Sequence, residues 1–151
     1  MGEFEVATGA DFAFTGATLA PAYPPGAAPR KLAEVESDYL VVVFGASWCP
    51  QCTEELQTIA ARYPTWKEQG VEVVFVSLDE DKTSFETFAG PFPFLSTCDY
   101  QQWNSAAVRK YHISAIPTMY LLDNQRKIVL RPHSVRQMDA WVEFYLVEGN
   151  R

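Results

Sequence analysis

The sequence predicts an α/β fold in which a central mixed β-sheet is flanked by helices. Two runs, 38–47 and 71–78, are rich in β-branched residues and apolar on both alternating faces, as in strands buried on both sides of a sheet. The segment between them has apolar residues at helical spacing. Strand, helix and strand in this order form a right-handed βαβ unit.

The chain is predicted to form one domain. Its 151 residues and 48% apolar content suffice for a single packed core. We assign residues 1–10 to an N-terminal segment and residues 11–151 to the domain. Residues 15–30 hold four of the ten prolines, so neither a helix nor a central strand can persist there. We expect an extended lead-in loop.

The first helix is predicted to begin at Pro50, because a proline in the first turn of a helix removes no hydrogen bond. It should run to about Gln69 and end at Gly70. Helical patterns recur at 82–89 and 101–111. The segment between them, "GPFPFLSTCDY", contains two prolines that argue against a long regular element. We interpret this region as an insertion that precedes the next strand.

The last part of the chain is predicted to form a β-hairpin and a closing helix. The runs 117–123 and 128–132 are apolar and are joined by the turn "NQRK". An amphipathic helix follows, with apolar residues at helical spacing: Val135, Met138, Val142 and Tyr145.

Composition and charge argue against two classes of partner. The net charge of −7 leaves no clustered Lys and Arg with which to neutralise nucleic-acid phosphates, and the longest basic cluster is Arg30-Lys31. The longest apolar run, "YLVVVFGASW", stops after ten residues, whereas a membrane-spanning helix needs about 20. The opening "MGEFEVATGADF" also lacks the basic and apolar regions of a secretory signal.

The stretch "ASWCPQCTEEL" places Cys49 and Cys52 between a buried strand and a helix. Unpaired N–H groups and the dipole at a helix N-terminus stabilise a thiolate at Cys49. One turn later, Cys52 can attack a mixed disulfide formed by Cys49. The strand before Trp48 places the pair at the carboxyl edge of the sheet, where open α/β folds hold their sites. The pair therefore indicates thiol-disulfide exchange.

Other uses of the pair are less well supported. A tetrahedral zinc site needs two more ligands, and Cys98, His112 and His133 are single residues without paired spacing. Haem attachment needs CxxCH, but Thr53 follows the second cysteine. A structural disulfide across two residues would constrain little of the unfolded chain. We expect no bound cofactor or metal, and we interpret Cys98 as a small buried residue.

The segments "FGASWCPQC" and "ISAIPTMYLLD", in this order of elements, resemble the thioredoxin superfamily. The proline-rich lead-in with "DF", "WCPQCTEEL", "VVFVSLDED" and the insertion resemble the TlpA/ResA-like extracytoplasmic thiol-disulfide oxidoreductases of bacteria. The similarity spans about 11–147. It implies a thioredoxin-like domain with a helical insertion before a strand that begins at a cis-proline.

The resemblance also implies roles for individual residues. Cys49 would be the exposed nucleophile and Cys52 the buried resolving thiol. Pro117 matches the cis-proline of the family, and the backbone of Ile116 before it would pair with an extended substrate segment. Trp48 would cover one side of the dithiol as a contact surface.

Proton transfer and redox poise are assigned to neighbours of the cysteines. Glu55 matches a buried acid that manages protons at the resolving thiol in ResA-like proteins. The alternative is that Glu54 and Glu55 are both solvated charges on the helix. Thioredoxin itself carries a buried aspartate six residues before the first cysteine, but Val43 stands there in this chain. The intervening Pro50-Gln51 would tune the redox poise.

The predicted function is a thiol-disulfide oxidoreductase that exchanges its CxxC pair with thiols and disulfides of protein substrates, as a reductant served by a dithiol donor protein. The resemblance implies a periplasmic or otherwise extracytoplasmic location. The alternative is a non-catalytic binding or copper-handling module on the same scaffold, although copper chaperones of this type use CxxxC with a distant histidine.

Overall fold

A computed structural model of the chain describes residues 12–150. The predicted N-terminal segment 1–10 lies outside the described residues. Six strands form one mixed sheet in the order β1-β4-β3-β2-β5-β6. The strands are β1 (Ala17–Leu19), β2 (Tyr39–Gly45), β3 (Val71–Ser77), β4 (Leu95–Cys98), β5 (Thr118–Leu122) and β6 (Ile128–Leu130).

Helices cover both faces of the sheet, so the predicted fold class is confirmed. The α-helices are α1 (Pro50–Glu68), α2 (Lys82–Ala89), α3 (Ala106–Lys110) and α4 (Val135–Val142). Shorter turns are the 3₁₀ segments Leu32–Glu34, Gln102–Asn104 and Glu148–Asn150 and the π-helical segment Glu143–Val147. Among the described residues, no helix combines the length and apolar character that crossing a bilayer requires.

The core has two layers, one on each face of the central strands. On one face, Val43 and Phe75 lie in a cluster with Leu56 of α1 and Met138 of α4. On the other face, β2 residues such as Val42 pack with the lead-in segment and α3. β2 is central, because it pairs in parallel with β3 and antiparallel with β5. Its side chains are buried on both faces of the sheet, as its sequence predicts.

The predicted limits of α1 are confirmed. The helix begins at Pro50 and ends at Glu68, and Gly70 follows with φ of +82°. The positive φ favours glycine at this position, and a Cβ on Gly70 would lie 2.6 Å from a carboxylate oxygen of Asp38, so that this side chain would have to move. Pro64 lies inside the helix, which the sequence analysis did not anticipate.

Two short strands were missed by the sequence analysis. The lead-in predicted as a loop contains β1, and the proline-rich segment contains β4. β4 pairs in parallel with β3 and antiparallel with β1, which lies almost 80 residues earlier in the chain. Strands of three and four residues are stabilised by this long-range pairing and leave almost no local pattern. The predicted helix at 101–111 is likewise split by Ser105 into a 3₁₀ turn and α3.

Candidate functional site

Cys49 and Cys52 form a disulfide at the N-terminus of α1, with their Cα atoms 5.2 Å apart. Cys49 is the N-cap of the helix, and its Sγ accepts a hydrogen bond from the backbone N–H of Cys52 at 3.1 Å. The side chain of Cys49 is 8% exposed and that of Cys52 is fully buried. Cys49 is thus the more accessible sulfur, but the prediction of an exposed residue overstated its accessibility, because its side chain packs into the core cluster beside Cys52.

The local environment favours a thiolate at Cys49 once the disulfide is opened. The N–H of Cys52 already points at this sulfur, and the positive end of the α1 dipole adds to its effect. Thr53 donates to the carbonyl of Cys49 through both its N–H and its Oγ1, which fixes the first turn of the helix. Pro50 and Gln51 form the solvent-exposed rim of this turn.

Gly45, the last residue of β2, lies directly beneath Cys52. A Cβ added to Gly45 would lie 3.3 Å from both Cβ and Sγ of Cys52. The buried sulfur can approach the sheet only because this position carries no side chain. This glycine lies within the strand predicted over 38–47, but nothing in the local sequence indicates its contact with Cys52.

Pro117 and β3 lie on opposite sides of Gly45 in the sheet. The Ile116–Pro117 peptide bond is cis. Thr118 pairs with Phe44, so continuing the antiparallel register places Pro117 beside Gly45. Ile116 and Pro117 are half-buried. Trp48, next to the first cysteine, is 52% exposed.

Glu55 is attached to the closing helix. Its Oε2 accepts a hydrogen bond of 2.7 Å from the backbone N–H of Val135, the first residue of α4. Glu55 is half-buried, whereas Glu54 is exposed. The hypothesis that both acids are solvated helix charges is therefore wrong for Glu55. Its partner lies 80 residues away in the sequence, beyond the reach of any local pattern.

A buried carboxylate, Asp79, lies just after β3 and was not identified as part of the site. It is 2% exposed and accepts hydrogen bonds from the N–H and Oγ of Ser47 and from the Oγ of Ser77. The cap of the following helix, α2, is a different aspartate. Asp81 is that cap, accepting from the N–H of Ser84. The position of Asp79 at the carboxyl end of a parallel strand was the available signal.

Cys98 is buried and belongs to neither a disulfide nor the exposed surface, as the sequence predicts. It pairs with Ser77 across β3 and β4, and its Sγ donates to the carbonyl of Asp79 at 3.2 Å. Burial raises the pKa of the Cys98 thiol. Of the described residues, none form a cluster of three or more His, Cys, Asp or Glu that could hold a metal ion, and His112 and His133 are exposed.

Comparison with known proteins relates most of this chain to one family. A family model described as thioredoxin-like matches residues 37–128. Nucleoredoxin from Danio rerio is 34% identical over 100 residues, which cover 64% of this chain and 24% of that protein. The thiol-disulfide oxidoreductase ResA of Geobacillus kaustophilus is 29% identical over 101 residues, covering 66% of this chain and 56% of ResA.

The solved structures point the same way. A thiol-disulfide oxidoreductase from Bacteroides fragilis is similar with a TM-score of 0.66 and 26% identity, covering 78% of this chain and 90% of the other. The chain thus spans about a quarter of the nucleoredoxin and just over half of the ResA that it matches.

Proposed function

The chain belongs to the thioredoxin-like family, and on that premise we propose that it is a thiol-disulfide oxidoreductase whose Cys49–Cys52 pair exchanges with disulfides in protein substrates. One observation carries the proposal: the two sulfurs are bonded at a helix N-terminus, with one slightly accessible and the other fully buried. This asymmetry suits an attacking thiol and a resolving thiol.

The reaction proceeds in two exchanges. In the reduced protein, the Cys49 thiolate attacks one sulfur of a substrate disulfide, forming a mixed disulfide while the other substrate sulfur leaves as a thiolate and takes up a proton. Cys52 then gives its proton to an acceptor and attacks the Cys49 sulfur. The Cys49–Cys52 disulfide forms and the second substrate thiolate leaves. Two electrons pass from the dithiol to the substrate.

The segment before Pro117 is the proposed contact for the substrate backbone. An extended substrate chain can pair with the main chain at Ile116, which lies beside the end of β2 and so beside Cys52. Trp48 offers an exposed aromatic face next to Cys49. Recognition of this kind relies on backbone groups, so it suits more than one protein partner.

Glu55 is the proposed acceptor for the proton of Cys52. The carboxylate lies one turn along α1 from this cysteine and is half-buried. The hydrogen bond from Val135 anchors one of its oxygens, so that the group is held against the protein instead of rotating freely in solvent.

The proposed direction is reduction of substrates, with a dithiol protein as the electron donor and an extracytoplasmic location. The resemblance of "WCPQCTEEL" and "VVFVSLDED" to the TlpA/ResA-like extracytoplasmic oxidoreductases supports this part of the proposal, and a thiol-disulfide oxidoreductase ResA is among the relatives that the chain matches. The reduction potential of the couple tests it. A value near about −270 mV supports a reductant, whereas one near about −120 mV would assign an oxidant.

The activity itself is tested by reduction of a peptide disulfide with dithiothreitol as electron source. We expect turnover by the wild type and by Cys98→Ser, and none by Cys49→Ser. Cys52→Ser that is reduced and then freed of dithiothreitol before the peptide disulfide is added should accumulate a mixed disulfide, since Cys49 can attack but no second thiol resolves the product. Unchanged turnover in Cys49→Ser would overturn the proposal.

A further inference from the structure

A groove of about 730 Å³ lies between α1 and α2, beside the segment that carries the two cysteines. Ser47 and Thr53 form its end nearest the cysteines. Ser47 precedes Cys49 by two residues, and Thr53 Oγ1 donates to the Cys49 carbonyl at 3.2 Å. The same residues therefore belong to the wall of the groove and to the turn that holds the reactive sulfur.

The groove is uncharged on an acidic protein. Among residues 12–150, none that line the groove is ionisable, whereas the chain carries a net charge of −7. Its lining combines hydroxyl and amide side chains, such as those of Thr87 and Gln57, with apolar side chains. The rings of Phe88 and Phe92 meet edge to face, with their centroids 5.3 Å apart, and supply an apolar wall.

This chemistry matches a stretch of polypeptide. An extended peptide presents backbone donors and acceptors, which hydroxyl and amide groups satisfy, and side chains, which an aromatic wall can contact. A small charged thiol such as glutathione would bring carboxylates into a groove without a cationic partner, which is unfavourable. A volume within about 300–1,000 Å³ is typical of ligand sites.

We propose that this groove binds the uncharged, partly apolar segment of the substrate protein that flanks its reactive cysteine. The inference rests on the proposed function and extends it to a class of substrate. In the mixed disulfide, the substrate sulfur is bonded to Cys49, so the residues next to it lie at the mouth of the groove. Pro117 lies on the opposite side of β2, so the substrate is contacted from both sides of the dithiol.

The test adds a charge inside the groove. Thr87 is exposed, lines the groove and lies on α2, so Thr87→Glu should leave the fold intact. Thr58 is an exposed residue of α1 that is not among the groove-lining residues, and Thr58→Glu is a control with the same change of charge. The measurement is the second-order rate constant for oxidation of each reduced protein by a peptide disulfide with uncharged apolar flanks, and by hydroxyethyl disulfide, which is too small to fill the groove.

With the peptide, we expect Thr87→Glu to react about tenfold more slowly than the wild type, because an unpaired carboxylate would be covered by the substrate. Thr58→Glu should react with both disulfides at the wild-type rates. Thr87→Glu should react with hydroxyethyl disulfide at the wild-type rate. A peptide with lysine in its flank should restore the rate of Thr87→Glu. Equal peptide rates for the two variants would overturn the groove assignment while leaving the exchange activity standing. A wild type that reacts with neither disulfide would overturn both.

Discussion

Ser47 donates two hydrogen bonds to the buried carboxylate of Asp79, one from its backbone N–H at 3.1 Å and one from its Oγ at 2.5 Å. The contact joins the loop after β2 to the loop after β3. Ser77 donates a third hydrogen bond from the end of β3 itself. Asp79 thereby fixes the position of the chain two residues before the reactive cysteine.

Replacing Asp79 with Ala should destabilise the protein by about 2–3 kcal/mol. The substitution leaves the donors of Ser47 and Ser77 without their acceptor in a buried place, which costs more than the net value of the hydrogen bonds. The free energy of unfolding in urea measures the effect. Asp81→Ala, at the exposed cap of α2, is the matched control and should cost less. An equal loss in both variants would contradict a larger structural role for Asp79 than for the exposed cap of α2.

A methyl group at Gly45 should disturb the dithiol. Gly45→Ala would place a Cβ 3.3 Å from the sulfur of Cys52, so either the strand end or the first turn of α1 must shift. We expect a loss of stability of about 1–3 kcal/mol and slower disulfide exchange. Gly149→Ala serves as the control, because a Cβ there meets nothing closer than 3.7 Å. Wild-type exchange rates in Gly45→Ala would contradict the proposed close fit.

Two substitutions of Glu55 separate its hydrogen bond with Val135 from its proposed part in proton transfer. Glu55→Gln retains an oxygen that can accept from the N–H of Val135 but can no longer accept a proton at neutral pH. We expect this variant to unfold at the wild-type temperature and to resolve the mixed disulfide more slowly, with an altered pH profile. Glu55→Ala should lower the melting temperature as well, since α4 loses a contact at its N-terminus. A Gln variant with an unchanged pH profile would remove Glu55 from proton transfer.

The buried thiol of Cys98 should make the oxidised protein lose stability in alkaline solution. Burial raises its pKa in the folded state above the ordinary value of 9.0. The unfolded chain therefore loses this proton at a lower pH than the folded protein does. The associated stability is complete below pH 9 and declines as the pH rises above that value.

The measurement is the free energy of unfolding of the oxidised wild type and of Cys98→Ala from pH 7 to about 10.5. The disulfide removes Cys49 and Cys52 from the titration. The difference between the two proteins at pH 7 reports the lost packing and is subtracted. Above pH 9, the free energy of unfolding of the wild type should then fall more steeply than that of Cys98→Ala. Tyr63, whose pKa burial also raises, is present in both proteins and cancels. Burial raises the pKa of Tyr100 too, but the charge of Cys98 adds to that rise, so this part belongs to the difference between the two proteins and acts in the same direction. Parallel curves would show that Cys98 ionises as readily folded as unfolded.

Local patterns were sufficient for the elements that carry the cysteines. β2, α1 and β3 have long apolar runs or helical spacing, and a proline and a glycine lie at the ends of α1, so each could be placed within a residue or two. The strands β1 and β4 could not be placed from local patterns, because their structure depends on pairing with strands that are distant in the sequence. The same holds within the site: the contacts of Asp79 with Ser47 and of Glu55 with Val135 join residues 32 and 80 positions apart.

The sheet begins and ends with its shortest strands, β1 and β6, each of three residues. An edge strand this short offers few free N–H and C=O groups with which a strand of another molecule could pair. Natural proteins limit edge-to-edge aggregation in this way. The backbone proposed to contact substrates near the disulfide can therefore be exposed without long unpaired strands at the edges of the sheet. Crowded solutions of the oxidised form should consequently remain free of fibrillar assemblies.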